Sequence, residues 1–161
     1  SKFIKVFETS AQHGYKLVAH AGEEGPSVYI WEALNLLNVV RIDHGNRCLT
    51  DDVLVKKLID ENIPLTLCPL SNIALKVIQK MEDHPIARML DKGILVTIHS
   101  DDPAYFGGYM NENYYETAKA LDLNKGQLMQ LAVNAFRASW LNTDEKEKQI
   151  SRVKEYFNSL N

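Results

Sequence analysis

The stretch GILVTIHSDD, residues 93–102, carries the pattern that decides the fold. A short apolar run ends at two adjacent aspartates, Asp101 and Asp102, which predicts a buried strand with polar groups at its carboxyl end. Three earlier stretches have the same form: YKLVAHA, VVRIDHG and IPLTLCPLSN. Segments with helical spacing separate these four strands. The alternation predicts an α/β fold with parallel strands and right-handed helical crossovers.

The segments between the strands carry helix start and stop signals. Gly14 suits the end of a first helix, Pro26 the start of a second, and Gly93 the end of a short helix in HPIARMLDKG. Thr50 is the predicted N-cap of the helix in DDVLVKKLIDEN. Beyond the fourth strand only helices are predicted, at about residues 112–121, 125–140 and 143–160.

Composition excludes several classes of function. The 161 residues, 45% apolar and 24% charged, suit one globular domain, and 18 basic against 21 acidic residues leave a net charge of -3. The basic residues form no stripe, so no nucleic-acid partner is expected. Without a secretion signal or an apolar run near the roughly 18 residues of a membrane span, we expect a cytoplasmic chain with no membrane partner. Residues 3–14 resemble a helix without a cap or leader, so we expect the chain to begin inside a longer protein.

The isolated cysteines and two of the histidines have ordinary interpretations. Cys48 and Cys68 lack CxxC spacing, which favours reduced thiols in or near the core. His13 lies at a helix end and His84 precedes Pro85 at a helix start, so both are assigned surface or capping roles.

Polar residues cluster at the four predicted strand ends, which meet on one face of a parallel fold. The clusters are His20, Asp43–His44, Cys68–Asn72 and His99–Asp102. Singly, each suits a buried histidine, a turn or a cap. Together, histidine and aspartate are a usual ligand mixture for catalytic zinc, and another histidine and a glutamate supply acid and base. His20 and Asp101 are the plausible ligands, and His44 is either a third ligand or the base, so the residues amount to half of a metal-hydrolase site.

Five ordered blocks give a more specific indication. HAGE (20–23), RIDHG (41–45), CPLSN (68–72), SDDPAYFGGY (100–109) and NAFRASWLN (134–142) closely resemble the second half of the adenosine/adenine deaminase family. These zinc amidohydrolases are built on a TIM-type (β/α)8 barrel. The resemblance implies that residues 1–161 form the C-terminal half of the barrel domain, about strands 5 to 8 plus the terminal helices. The family's His-x-His motif is absent from the sequence, so the resemblance implies that a missing N-terminal half provides two further ligands to a single Zn²⁺.

The resemblance also implies a role for each matching residue. His20 and Asp101 would bind zinc, Glu23 would protonate the purine ring nitrogen N1, and His44 would orient and deprotonate the attacking water. The remaining two residues would contact substrate: Asp102 through hydrogen bonds to the purine or the water, and Gly22 through its backbone N–H close to the ring.

The implied activity is hydrolytic deamination of an aminopurine, as in purine salvage. Asp43 before His44 and the stretch AYFGGY resemble the adenine deaminase branch more than the adenosine deaminase branch, which favours adenine as substrate and hypoxanthine and ammonia as products. His99 departs from the asparagine expected there. Adenosine, modified adenines, aminofutalosine and a different amidohydrolase reaction remain alternatives.

A different class of function is a non-catalytic half-barrel that assembles with another chain or with itself. Four strands leave open sheet edges and an apolar interior that favour self-association. Because two ligands would be missing, the isolated chain is expected to bind zinc weakly and to be inactive.

Overall fold

The computed structural model describes residues 2–160 and confirms the predicted alternation of strands and helices. The elements follow in the order α1 (Ile4–Gln12), β1 (Val18–Ala21), α2 (Val28–Leu36), β2 (Arg41–His44), α3 (Asp52–Asp60), β3 (Leu65–Leu67), α4 (Pro69–Ala74), α5 (Ile86–Asp91), β4 (Val96–Ile98), α6 (Pro103–Phe106), α7 (Met110–Leu121), α8 (Lys125–Ala138) and α9 (Thr143–Ser159). The chain divides into two compact units, and each unit contains a different part of this series of elements.

The first unit contains the residues up to Leu67 together with Gly93–Leu95. Its strands are parallel in the order β1-β2-β3, with Ala21 opposite His44 in the first pair. On β3, the backbone N–H of Leu65 donates to the carbonyl of Leu95 at 2.9 Å. The prediction of parallel strands joined by helices is therefore confirmed in this unit.

The helix α3 begins one residue later than the predicted cap allows. Asp51, not Thr50, is the N-cap: its Oδ1 accepts from the backbone N–H groups of Val53 and Leu54, both at 3.0 Å. Asp51 Oδ2 also accepts from Trp31 Nε1 at 2.8 Å. The hydrogen bond from Trp31, followed by those from the two backbone N–H groups, lowers the pKa of Asp51. Thr50 ends a preceding 3₁₀ turn and donates to the carbonyl of Arg47. The carboxylate outcompetes the hydroxyl because it satisfies two helix N–H groups and the indole at once.

The second unit contains Cys68–Lys92 and the residues from Val96 onward. All three residues of β4 are buried, and Asn134 Nδ2 on α8 donates to the carbonyl of Val96 at 3.0 Å. The observed bounds of α7, α8 and α9 lie within two residues of the predicted ones, so the helical C-terminal region is confirmed. The CPLSN stretch was predicted as a turn and instead forms the start of α4, because Pro69 occupies the first helical turn, where no N–H is needed.

Both cysteines and one residue of the terminal helix are buried, each within its own unit. Cys48 and Cys68 are both buried as thiols, as predicted, and burial raises the pKa of Cys48 to about 12. The terminal helix α9 buries Ile150 and carries charges on its remaining faces, whereas Phe3 and Val6 near the start of the chain are more than half exposed. Within residues 2–160, no helix combines the length and the apolar character needed to cross a bilayer.

Candidate active site

The first unit brings three of the predicted site residues together. His20 is the third residue of β1, Glu23 follows two residues after the strand, and His44 ends β2. The Nδ1 of His44 lies 3.3 Å from Glu23 Oε1, and the two histidine rings have centroids 4.8 Å apart. His44 is 2% exposed and the side chain of Glu23 is 17% exposed, whereas that of His20 is 66% exposed. A shielded acid–base pair therefore lies beside an accessible imidazole.

Backbone conformation explains how two adjacent strand ends support this cluster. His44 adopts a left-handed φ of 66°, an uncommon conformation for a residue with a side chain, and Gly45 continues it with φ 77°. The N–H of Gly45 donates to the carbonyl of Ala21 at 3.0 Å, which ties the turn after β2 to the end of β1. Strain at a non-glycine residue costs about 1–3 kcal/mol and is retained mainly where the side chain is needed.

The structure explains why position 22 is a glycine by packing and backbone conformation, whereas the family resemblance implied a contact between its N–H and the substrate. Its φ is 66°, and a Cβ added there would lie 2.5 Å from Cδ1 and 2.7 Å from Cγ1 of the fully buried Ile30. Glycine is thus required by the packing of α2 and by the turn itself. The predicted approach of its N–H to a purine stays a prediction.

The second unit contains the two aspartates of the opening stretch. Ser71 Oγ donates to Asp101 Oδ2 at 2.6 Å, and Ser71 is fully buried. Asp101 has a left-handed φ of 57°. The side chains of Asp101 and Asp102 therefore extend from the backbone in different directions. Asp102 is exposed and is the N-cap residue of α6, in agreement with the cap predicted from the sequence. Within the described part of the chain, however, its carboxylate makes no capping hydrogen bond.

A buried polar network supports the loop that carries Ser71. Asn72 is fully buried, and His84 Nε2 lies 3.3 Å from Asn72 Oδ1. The other ring nitrogen, Nδ1, accepts from the backbone N–H of Ile86 at 3.3 Å, so Nε2 carries the proton that Asn72 accepts. His84 is 2% exposed, so the predicted surface role is wrong; Pro85 is the N-cap of α5, and His84 lies before it and accepts from the N–H of the first helical residue. Burial lowers the pKa of His84 to about 4.

Two further histidines lie outside these hydrogen bonds. His13 is the exposed C-cap residue of α1, where its ring lies 2.8 Å from the carbonyl of Thr9, as its predicted capping role requires. His99, which stands where the family resemblance implies asparagine, has its Nε2 2.8 Å from Thr97 Oγ1.

Three polar residues near the clusters were not assigned roles from the sequence. Ser71 holds Asp101, and Asp43 lies 3.5 Å from Nδ1 of His20 through its Oδ2. Asn46 is 7% exposed, and neither polar atom of its side chain has a hydrogen-bond partner among residues 2–160. The strand-end position of Asp43 was visible in the sequence, but its contact depends on strand register, which the sequence does not display.

The donor chemistry of these groups fits a zinc ion. The Nδ1 of His20 lies 3.5 Å from the carboxylate of Asp43, and in the second unit the hydroxyl of Ser71 donates to the carboxylate of Asp101. Imidazole and carboxylate ligands, each oriented by a neighbouring polar group, are typical of catalytic zinc sites. A parallel α/β architecture with imidazole and carboxylate groups at its strand ends is typical of metal-dependent hydrolases.

Comparison with known proteins narrows this class. The adenosine deaminase family profile matches residues 1–156, and the chain belongs to that family. It is 56% identical over 156 residues to an adenine deaminase of Hahella chejuensis, a match that covers 97% of this chain and 47% of that protein.

Two solved structures give the same result for the fold. The crystal structure of an adenine deaminase from Arthrobacter aurescens superposes with a TM-score of 0.95 at 43% identity, covering 98% of this chain and 48% of that one. A zinc-bound amidohydrolase from Burkholderia ambifaria superposes with a TM-score of 0.89 at 25% identity, covering 97% of this chain and 44% of that one. The chain spans about half the length of the proteins it matches.

Proposed function

We propose that the protein containing this chain is a zinc-dependent aminopurine deaminase that converts adenine and water to hypoxanthine and ammonia. The observation that carries the proposal is the Glu23–His44 pair, 3.3 Å apart and shielded from solvent, in a chain 56% identical to an adenine deaminase. Adenosine is the runner-up substrate, because the matching family profile bears its name.

The metal would be held by His20 and Asp101 together with two ligands from outside this chain. Such an ion lowers the pKa of a bound water from about 15.7 towards about 7 and so supplies a nucleophile at neutral pH. The fit rests on the donor types and on their orientation by Asp43 and Ser71. In this proposal the chain is the C-terminal half of a (β/α)8 barrel, about strands 5 to 8.

The other site residues would transfer protons or contact the substrate. His44 takes a proton from the attacking water and orients it, since Glu23 already occupies the Nδ1 side of the ring. Glu23 donates a proton to the ring nitrogen as a C–O bond forms at C6. The proton taken by His44 then passes to the departing amine, the C6–N bond breaks to release ammonia, and the remaining hydroxyl proton returns to Glu23 as the C6 carbonyl forms. Asp102 holds the purine or the water, and the N–H of Gly22 contacts the ring.

The activity is tested with the complete protein that the open reading frame encodes. We expect adenine to yield hypoxanthine and ammonia in equal amounts, followed by the change in ultraviolet absorbance and by an ammonia assay. Turnover of adenosine without turnover of adenine would overturn the substrate assignment. No turnover of any aminopurine would overturn the class of enzyme.

The role of Glu23 is tested with Glu23→Gln, which keeps the size of the side chain but removes its acidic proton. We expect kcat/KM to fall by about 10²–10⁴ while stoichiometric zinc remains, because general acid catalysis contributes about that much. The matched control is Glu24→Gln, since Glu24 is the adjacent, exposed glutamate. Equal losses in both variants would contradict the assignment.

The isolated 161-residue chain provides a test of the half-barrel proposal. We expect it to lose zinc on dialysis against a mild chelator, to show no deaminase activity and to self-associate in light scattering. A monomer that retains one zinc ion per chain would contradict the proposed division of ligands.

A further inference from the structure

Three polar residues lie side by side across the first unit. In the register of the parallel sheet, His20 on β1 is paired with Asp43 on β2, and Asp43 is paired with Thr66 on β3. Paired residues of adjacent parallel strands present their side chains on the same face of the sheet. The central carboxylate is therefore placed between an imidazole and a hydroxyl.

The two oxygens of the Asp43 carboxylate face different neighbours. Oδ1 accepts a 2.8 Å hydrogen bond from Thr66 Oγ1 and lies 3.5 Å from Nε of Arg41, two residues earlier on the same strand. Oδ2 lies 3.5 Å from Nδ1 of His20. The Asp43 side chain is only 20% exposed and Thr66 is 8% exposed, so the carboxylate is held from the side opposite His20.

We propose that Asp43 is a positioning residue for His20: its Oδ2 accepts the Nδ1–H of the imidazole and thereby fixes the tautomer in which Nε2 binds zinc. This rests on the proposed zinc site. Metal-binding histidines commonly donate their other ring N–H to a carboxylate, and loss of that acceptor weakens metal binding by about 10–100-fold.

The separation of 3.5 Å is longer than an ordinary N–H···O hydrogen bond, which falls at about 2.9 Å. Hydrogen bonds at catalytic sites are often long in the free protein and tighten in the reactive complex. The exposed ring of His20 has room to make that adjustment, whereas Asp43 is anchored by Thr66. A small rotation of the ring would therefore bring Nδ1 within hydrogen-bond distance of a carboxylate that is already in place.

The test is the zinc affinity of the complete protein, measured by competition with a chromophoric chelator and independent of turnover. We expect Asp43→Ala to raise the dissociation constant for zinc about 10–100-fold. Asp43→Asn keeps an oxygen that can accept from Nδ1–H, so it should lose at least threefold less affinity than Asp43→Ala. The control is Asp60→Ala, which removes an exposed aspartate paired with Lys56 far along the chain from the site.

The outcomes separate positioning from a purely structural role. Zinc affinity in Asp43→Ala within twofold of the unaltered protein would overturn the proposal, whatever happens to the stability of the metal-free protein. Equal losses in the alanine and asparagine variants would also overturn it, because they would leave the accepted hydrogen bond without a role. If the alanine variant does not fold, Asp43→Asn decides by itself: the Nδ1–H resonance of zinc-bound His20 should persist in its NMR spectrum, and loss of that resonance would contradict the proposal.

A failure of the proposed function would look different. An unaltered protein that binds no zinc would overturn both the proposed enzyme and the role of Asp43. A protein that binds zinc and turns over no aminopurine would, as a second case, contradict only the proposed enzyme. In the second case the affinity comparison still decides the role of Asp43.

Discussion

The two units hold their candidate zinc ligands in different ways. Asp101 accepts a 2.6 Å hydrogen bond from the fully buried Ser71, next to the equally buried Asn72. His20 is 66% exposed, and its contact with Asp43 is 3.5 Å long. Both residues are exposed, but the carboxylate of Asp101 is fixed by a short hydrogen bond, whereas the imidazole of His20 has only a long contact on its Nδ1 side. The difference teaches that a buried hydroxyl holds the candidate ligand itself in the second unit, whereas in the first unit the buried hydroxyl of Thr66 holds Asp43, the neighbour of the candidate ligand.

Removal of either ligand gives the largest expected effect. In the complete protein, His20→Ala and Asp101→Ala should each abolish stoichiometric zinc after dialysis. Asp101→Ala should also lower the free energy of unfolding of the metal-free protein by about 1–3 kcal/mol, because the buried hydroxyl of Ser71 loses its acceptor. His20→Ala removes an exposed ring and should change that free energy by less than about 0.5 kcal/mol.

Metal analysis and urea unfolding in the presence of a chelator measure these effects. The double variant Ser71→Ala with Asp101→Ala is the control, since removal of both partners should recover part of the lost stability. A His20→Ala protein as destabilised as Asp101→Ala would contradict the contrast between the two units.

The next largest effect is a pH dependence confined to the second unit. Burial lowers the pKa of His84 from its ordinary value of 6.5 to about 4, so between these pH values the unfolded chain binds a proton that the folded chain excludes. Stability is therefore complete above pH 6.5 and declines as the pH falls towards 4, by about 3 kcal/mol in total. Urea unfolding of metal-free protein between pH 7 and about pH 4 would measure this decline.

The matched variant for this prediction is His84→Gln, which replaces the imidazole with an amide that does not titrate. Its unfolding free energy is expected to be lower at neutral pH but to change less between pH 6.5 and 4 than in the unaltered protein. An identical pH dependence in both proteins would show that His84 is not the group responsible.

A smaller effect tests the rigid backbone of the first unit. Gly22→Ala and Gly14→Ala both place an alanine at a left-handed φ, which costs about 1–2 kcal/mol in each variant. Only at Gly22 does the added Cβ meet a neighbour, Ile30, whereas nothing lies within 4 Å at Gly14. Overpacking should make Gly22→Ala the less stable of the two by about 1–3 kcal/mol. Equal unfolding free energies would remove the packing explanation for this glycine.

Much of the fold could be predicted because its signals are local. Hydrophobic periodicity and caps gave α7, α8 and α9 to within two residues, and the apolar runs gave four strands. The cap of α3 was misassigned to Thr50, because Asp51 gains its advantage from Trp31, twenty residues earlier in the chain. The helix at Pro69–Ala74 was missed since the same proline also suits a turn.

The candidate site was predicted in its residue types but not in its supporting contacts. His20, Glu23 and His44 lie at or just beyond strand ends, which the sequence reveals, and the first unit brings them together. Burial of His84 and the row His20–Asp43–Thr66 depend on tertiary packing and strand register. Neither leaves a periodic signal in one sequence.

The chain passes between the units at Leu67–Cys68, at Lys92–Gly93 and again at Leu95–Val96. The three residues Gly93–Leu95 thus return to the first unit after 25 residues of the second, and Leu95 accepts the hydrogen bond from Leu65. A protein engineer who cut the gene after Leu67 would obtain a first unit whose last strand lacks that acceptor. The units are therefore poor modules for recombination, and a chimera with a relative should exchange both segments of a unit together.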